Sequence, residues 1–409
     1  MRIRGLALAL LAALPVLVAA CSTNSATRSP SPVASTAPTG VPSALASIAA
    51  SASAAQKSDL LIGVVTDVAT DNEKDLNELT VMGTQQGAAA IGADPPPVIV
   101  PTSADLFAPL IDALVDQKFD IIVATGVNLV PATVAAAKAN PRIRFLGVDH
   151  HPCIDSRGVY DPRSKDCSGD ISKLFPNYIA INYAEDQAGY LAGIVAASAT
   201  KSKIIGALGG VSLCAPCVRY MQGYVLGAKS VDAAIKVKTS FVSATDYNVG
   251  FADQAAGKAV AGRFLKDNPG MDVLFQVAGL TGAGNLTGYG ILDAACAAGI
   301  DAIGVDTDQH ERYPASRACI LTSAEKHIAG SVSDSIIGTA AGTAKGGLTF
   351  FDATNDGIGL SPFYDAASRL PEDIQSKIDA AISGMKAGSV VSCPPSPQCG
   401  KTPAPKLGD

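Results

Sequence analysis

Past residue 59 the chain settles into short, almost unbroken apolar runs separated by longer stretches of helical spacing. "LLIGVVT" (60–66), "VIV" (98–100), "FDIIVAT" (119–125) and "RIRFLGVD" (142–149) show little polar alternation, so each predicts a strand buried on both faces. Residues 75–92 between them are helix-compatible and stop at "ADPPP". Leu106, Leu110, Ile111 and Leu114 share one face of a helix from Asp105 to about Gln117, and "VPATVAAAKAN" (130–140) predicts another. Strand and helix in alternation, with doubly buried strands, is the pattern of an α/β protein whose parallel sheet is covered on both sides.

Residues 150–176, with Pro152, Gly158, Pro162, Gly169 and Pro176, interrupt the rhythm and predict a surface excursion. The alternation then restarts. "YIAINY" (178–183), "KIIGALGG" (203–210), "IKVKTSFV" (235–242), "MDVLFQVAG" (271–279) and "IDAIGVD" (300–306) predict strands. Helices are expected over 184–200, about 216–231, near 249–267 and near 283–298. "ACILTSAEKHIAGSVSDSIIGTAAGTAKG" adds a strand and a helix, and "PEDIQSKIDAAISGMKAG" a last helix. Two such sets predict two lobes with a cleft between them. The expected layout joins residues 58–180 and 320–352 in one lobe and 181–319 and 353–392 in the other, with crossings near 177–183, 316–322 and 349–362 and a Pro-rich tail over 393–409.

The front of the chain has a different character. "MRIRG" carries positive charge, "LALALLAALPVLV" is apolar, and "VLVAAC" ends in small residues before Cys21. Residues 1–20 are expected to be a leader cleaved before Cys21, with lipid on the cysteine thiol. Residues 21–57 are Ser-, Ala- and Pro-rich and too poor in large apolar side chains to order themselves, which predicts a flexible tether. The folded body is thus expected to be held at the cell membrane, outside the cytoplasm. No later run is long or apolar enough to span a bilayer.

Composition narrows the partners. The 31 basic residues include Arg2 and Arg4; without these, 29 basic residues face 37 acidic ones and no basic stripe stands out, so nucleic acid is not an expected partner. Of nine cysteines, eight remain after Cys21, an even number in an exported chain. They fall as neighbours along the sequence: Cys153 and Cys167, Cys214 and Cys217, Cys296 and Cys319, Cys393 and Cys399; sequential pairing is the expectation. "CAPC" (214–217) has the spacing of a redox-active pair, but a structural loop is favoured because the sequence around it does not read as thioredoxin-like.

Four polar or glycine positions follow apolar strands: Asp67, Asp149, Gly279 and Asp306. Ligands of open α/β sheets sit outside the strands' carboxyl ends, so these four outline one site between the lobes. The segment "IGVDTDQH" (303–310) places Asp306 and Asp308 one residue apart. Asp306 ends the apolar strand and faces the cleft, whereas Asp308 and His310 belong to the turn beyond, so the pair is not expected to chelate a metal jointly. "DHH" (149–151) with Cys153 has zinc-ligand types, but a disulfide is the better reading of that cysteine, so no metal or cofactor is expected. The histidines are only His150, His151, His310 and His327, and no Gly-x-Ser-x-Gly elbow is present. "GLTGAGNLTGYG" (279–290) lacks the Lys-Ser/Thr ending of a phosphate loop. No enzymatic activity is expected. His310 and Glu311 are expected at a solvated rim.

Seven stretches, taken in order, resemble the basic membrane lipoprotein family of binding proteins, in its purine-nucleoside-receptor-like branch. They are "YAEDQAGYLAGIVAASAT" (183–200), "IIGALGG" (204–210), "MQGYVLGA" (221–228), "GFADQAAGKAVA" (250–261), "VLFQVAGLTGAG" (273–284), "AIGVDTDQ" (302–309) and "LTSAEK" (321–326). The resemblance covers about 59–392. It implies the type I periplasmic-binding-protein fold, two Rossmann-like lobes joined by three crossings and closing on a nucleoside. It implies a monomer that serves an ABC permease. By the same resemblance Asp306 would accept hydrogen bonds from ribose hydroxyls, Lys326 would donate to the ribose, and the backbone of Gly279 would approach the sugar. Asp67 and Asp149 would read the base edge, with Phe251 or Phe275 against its face. The chain departs from the family in its first helix. "KDLNEL" places Asp75, Leu76 and Asn77 where the family carries Ser-Phe-Asn, so Leu76 stands in place of the phenylalanine that stacks on the base. Other polar ring ligands, such as a flavin or a sugar-derived signal, and a sensory role in place of transport, are the alternatives.

Overall fold

Alternate residues of the apolar strands part to opposite cores. Ile121 and Val123 enter one cluster while Ile122 and Ala124 enter another; Leu146 and Val148 oppose Phe145, and Ile179 and Ile181 oppose Tyr178 and Ala180. This two-residue period is what a sheet buried on both faces requires. Each such aliphatic side chain stabilises the fold by about 1.5–3 kcal/mol.

The protein is described from a computed structural model that covers residues 57–68, 74–161, 166–283 and 290–393. The leader, Cys21 and its tether, and the tail with Cys399 lie outside these residues. The described residues belong to one compact unit, Ala54–Asp409. Its strands are β1 (Ile62–Val65), β2 (Val98–Ile99), β3 (Ile121–Thr125), β4 (Arg144–Val148), β5 (Tyr178–Tyr183), β6 (Ile204–Val211), β7 (Lys236–Ser243), β8 (Val273–Val277), β9 (Asp301–Asp306), β10 (Ile320–Lys326), β11 (Gly347–Phe351) and β12 (Ile358–Leu360). They form two sheets, in the orders β11-β5-β4-β3-β1-β2 and β12-β10-β9-β8-β6-β7. All pairings are parallel except β10 with β12. Helices cover both, so the α/β class and the type I binding-protein architecture stand.

Three crossings join the sheets: Tyr183–Glu185, Lys326–Ile328 and Phe351–Ile358. They run side by side, because Ala184 N–H donates to the Phe351 carbonyl (2.9 Å) and His327 N–H to the Gly357 carbonyl (3.0 Å). The second crossing differs from the sequence expectation. Residues 320–326 pair with β9 and belong to the second sheet, so the chain leaves that sheet after Lys326 and not near 316–322. Periodicity identified the strand but carries no information on which sheet receives it. The helix expected over 249–267 is two helices, Tyr247–Phe251 and Gln254–Asp267, because Asp246 and Asp253 each cap a separate first turn. The edge strands β11 and β12 are only five and three residues long and each holds a glycine, so neither stands out in the sequence as a strand.

Two helices of the second half cross at backbone contact. Glu185–Ala199 carries Gly189 and Gly193, and Ala215–Val231 carries Gly223 and Gly227. A Cβ on Gly223 would overlap the Asp186 carbonyl oxygen, and one on Gly189 the Tyr220 carbonyl oxygen. Only glycine permits this approach, and it brings the first turns of both helices together. Among the described residues no helix is long and apolar enough to cross a membrane.

The structure joins Cys153 to Cys167, Cys214 to Cys217 and Cys296 to Cys319. Cys393 is also disulfide-bonded.

Candidate functional site: a buried lysine between the two sheets

Lys326 is the last residue of β10 and stands where the chain leaves the second sheet. Its Nζ lies 2.9 Å from Asp149 Oδ2, 3.4 Å from Glu185 Oε1 and 3.6 Å from Asp306 Oδ1. Asp149 follows β4 of the first sheet, Asp306 ends β9 of the second, and Glu185 opens the helix after the first crossing. One ammonium therefore gathers carboxylates from both sheets and from a crossing. The rings of Tyr183 and Tyr220 approach it at 5.4 and 6.0 Å from their centroids, adding cation–π attraction.

The charges are held by burial and by one another. Side-chain exposure is 4% for Lys326, 1% for Glu185 and 3% for Arg219. Arg219 binds Glu185 Oε2 through both Nε and Nη2, each at 2.7 Å. Such a forked pair is geometrically specific. Burial disfavours the Lys326 charge, but Asp149, Asp306 and Glu185 outweigh it and hold the ammonium well above the usual lysine range. Burial likewise raises the Glu185 carboxyl, and Arg219 with Lys326 more than reverse that, leaving it below its ordinary value. Asp149 stays above the usual aspartate range, because its desolvation and Glu185 exceed the relief from Lys326. The chemistry is an ion cluster with three carboxylates against two cations, unusual in a protein interior unless a polar ligand or partner uses it.

Asp306 is the most exposed member, with 36% of its side chain open. Tyr220 donates its hydroxyl to Asp306 Oδ1 (3.2 Å) and lies 3.3 Å from the Ala324 carbonyl. A cleft of about 520 Å³ opens beside it, lined among others by Leu79, Asp306, Asp308, Arg312, Glu325 and Lys326. That volume suits a small polar ring compound. At its edge Arg312 meets Glu78 at 2.5 Å, an exposed pair that contributes little.

The remaining sequence candidates fall into separate groups. Asp67 and Asn77 are buried and bond each other: Asp67 N–H donates to Asn77 Oδ1 (3.0 Å) and Asn77 Nδ2 to the Asp67 carbonyl (3.3 Å). Asn128 Nδ2 donates to Asp67 Oδ2 (3.0 Å), while burial raises the Asp67 carboxyl despite these bonds. Leu76 is half-buried against the central core. Gly279 takes a φ of +49°, and a Cβ there would touch Phe251 Cδ1 at 3.6 Å. The Phe251 ring in turn packs on Tyr247 at 5.7 Å. None of Asp67, Asn77, Gly279 and Phe251 lines the cleft beside Lys326. Phe275 is a correction: it is fully buried, with Tyr220 and Tyr224 against its ring, and has no face to offer a ligand. The β8 alternation points it into the core.

His310 is a second correction. It is buried and stacks on Tyr364 at 4.0 Å with 6° between planes, although Glu311 remains exposed. Asp308 caps the Gln309–Arg312 helix and accepts from the Tyr364 hydroxyl (2.5 Å). Sequence reading missed Glu185, Arg219 and Tyr220. The paired Gly-x-x-x-Gly spacings of their two helices were the available signal, since such spacings mark close helix crossings.

Comparison with known proteins agrees with this architecture. A family model described as ABC transporter substrate-binding protein PnrA-like matches residues 85–387. The ABC transporter nucleoside-binding protein BmpA of Lactococcus lactis is 28% identical over 345 residues, covering 80% of this chain and 89% of that protein. Among solved structures, an ABC transporter solute-binding protein from Conexibacter woesei superposes with a TM-score of 0.61 at 19% identity, over 81% of this chain and 98% of that one. One from Aeropyrum pernix gives 0.59 at 20% identity, over 80% and 92%.

Proposed function

This chain belongs to the PnrA-like family of ABC transporter substrate-binding proteins, and from that premise we propose that it captures a nucleoside and delivers it to an ABC permease. The observation that carries the reading is the meeting of Asp306 and Lys326 beside a cleft between the two sheets. Vicinal ribose hydroxyls need an acceptor and a donor side by side. Asp306 supplies the acceptor on its open edge. Lys326, kept charged by its carboxylates, supplies a donor without a change of protonation. Leu79, in the helix Lys74–Ala90 that follows β1, lines the same cleft, so a ligand bound here touches both halves. A ligand with higher affinity for the closed arrangement shifts the protein toward it by that difference in affinity, and no covalent chemistry is involved.

The name of the Lactococcus protein supports the nucleoside class. The Leu76 position lowers the aromatic stacking available to a base by about 0.5–1.5 kcal/mol, so the sugar contacts carry more of the selectivity. Cys21 is the proposed lipid site, which would hold the body at the outer face of the cell membrane on its tether. A thermal-shift and calorimetric screen of nucleosides, free bases, flavins and sugars tests the reading. Nucleosides should stabilise the protein most; stabilisation by a flavin or a sugar with none by nucleosides would replace it. Cys21→Ser should move the protein from the membrane fraction to the soluble one, and a variant that stays membrane-bound would refute the anchor.

A further inference from the structure

The helix that carries Arg219 and Tyr220 begins at a disulfide. Cys214 is the N-cap of Ala215–Val231, three residues after β6, and its Sγ accepts the Cys217 N–H at 3.2 Å. The sequence reading favoured a structural loop for lack of a redox context, yet the fold places the motif between a strand and the head of a long helix, with Pro216 between the cysteines. Backbone N–H groups and the positive end of the helix stabilise a thiolate at that position.

The two cysteines differ in burial. Cys214 is half-buried beside Leu213, which is 62% exposed, whereas Cys217 is buried at 4%. An external thiol therefore reaches Cys214. The bridge also closes only 3 residues of sequence, against 14 and 23 for the bridges Cys153–Cys167 and Cys296–Cys319. In the chain-entropy account, stabilisation grows with the length of the closed loop, so this bridge is the least effective staple of the three. What it does fix is the first turn of a helix. Two residues beyond Cys217, Arg219 forks onto Glu185; the next residue, Tyr220, donates to Asp306.

We propose that Cys214–Cys217 is a reversible thiol–disulfide site whose state is passed to the Lys326 cluster through Arg219 and Tyr220. A dithiol donor reduces it. The donor's thiolate attacks Cys214 Sγ, the bond to Cys217 breaks, and Cys217 leaves as thiolate. The donor's second thiolate then attacks the mixed disulfide and releases Cys214. The protein gains two electrons and two protons, and the donor becomes a disulfide. Without the bridge the first helical turn loosens, Arg219 withdraws from Glu185, and the cluster no longer holds Asp306 and Lys326 at their present spacing. The effect on ligand affinity rests on the nucleoside reading; the exchange and its effect on Lys326 do not.

The test titrates the ligand-free full-length protein with dithiothreitol and follows two signals. Alkylation and mass mapping should show Cys214 and Cys217 reduced first, while Cys153–Cys167 and Cys296–Cys319 remain closed. The Lys326 Nζ resonance of protein carrying ¹⁵N-labelled lysine should shift at that same step. Nucleoside affinity of this reduced state, and of the Cys214→Ala/Cys217→Ala variant, should fall at least tenfold. A bridge no easier to reduce than the other two, or an unmoved Lys326 resonance, would overturn the proposal. Nucleoside affinity equal in the two redox states would overturn its coupling to binding. An oxidised protein that binds no nucleoside would count against the ligand reading alone, since the mass and resonance signals need no ligand.

Discussion

Asp149 and Asp306 end equivalent strands, one in each sheet, with the same backbone conformation and the same partner. Their φ values are +56° and +66°, and their carboxylates stand 2.9 and 3.6 Å from Lys326 Nζ. A left-handed backbone costs most residues about 1–2 kcal/mol, less for aspartate, whose short side chain bonds locally. Two such turns, one per sheet, are aimed at one ammonium. That pairing is the structural core of the proposed site.

Backbone strain and function separate at Asp306. Asp306→Gly relieves the left-handed turn and Asp306→Ala does not, so the alanine variant should be less stable in urea by about 1 kcal/mol. Both should lose nucleoside affinity by at least two orders of magnitude in calorimetry, because both remove the acceptor. Equal stability of the two would deny the strain.

Removing Lys326 should be costly in a pH-dependent way. Lys326→Met leaves Asp149 and Glu185 buried without their ammonium, a loss of about 3–5 kcal/mol at neutral pH. The lysine's raised folded pKa means that its own stabilisation is complete below the ordinary lysine range and is lost only as pH rises through the folded value. Between pH 5 and 7 the wild-type contribution is therefore flat. In the variant the stranded carboxylates titrate upward, so its deficit should shrink on acidification. Urea unfolding at the two pH values checks this.

Glu325 provides an independent pH effect. Burial, with Asp308 nearby, pushes its carboxyl up to about 7. The folded state thus binds more protons than the unfolded state from the ordinary glutamate range up to about 7, and stability falls as pH rises through that window. Glu325→Gln should flatten the slope and stabilise the protein at pH 8 by up to ~3 kcal/mol. Parallel pH profiles for the two proteins would contradict the assignment.

The glycine crossing should tolerate no side chain. Gly223→Val pushes against the Asp186 carbonyl and separates the helices that align Arg219 with Glu185. A loss of about 3 kcal/mol or more is expected from such overpacking, together with weakened ligand binding. A variant of unchanged Tm would show that the helices can slide apart freely.

Much of this was legible in the sequence, for physical reasons that also mark where reading stopped. The uninterrupted run before Asp306 located both a buried strand and its functional end, since both follow from local pattern. Lys326 was found through the resemblance, because a lysine after "LTSAE" has no local mark of its own. Arg219 and Glu185 are 34 residues apart and meet only because two helices cross at glycine. Phe275 looked available because an aromatic in a strand does not reveal which tyrosines will cover it. The sheet that takes up residues 320–326 depends on long-range pairing, which periodicity does not encode.

The central claim is that Asp306 and Lys326 hold the hydroxyls of a ribose. The most direct measurement compares, by calorimetry on the wild-type protein, a purine nucleoside with its 2′,3′-dideoxy analogue. The same base and the same cleft are kept, and only the two hydroxyls are removed. Loss of a charged hydrogen-bonding pair costs about 1.5–3 kcal/mol for each bond, so affinity should fall by two orders of magnitude or more. Equal affinity for the two compounds would contradict the ribose assignment.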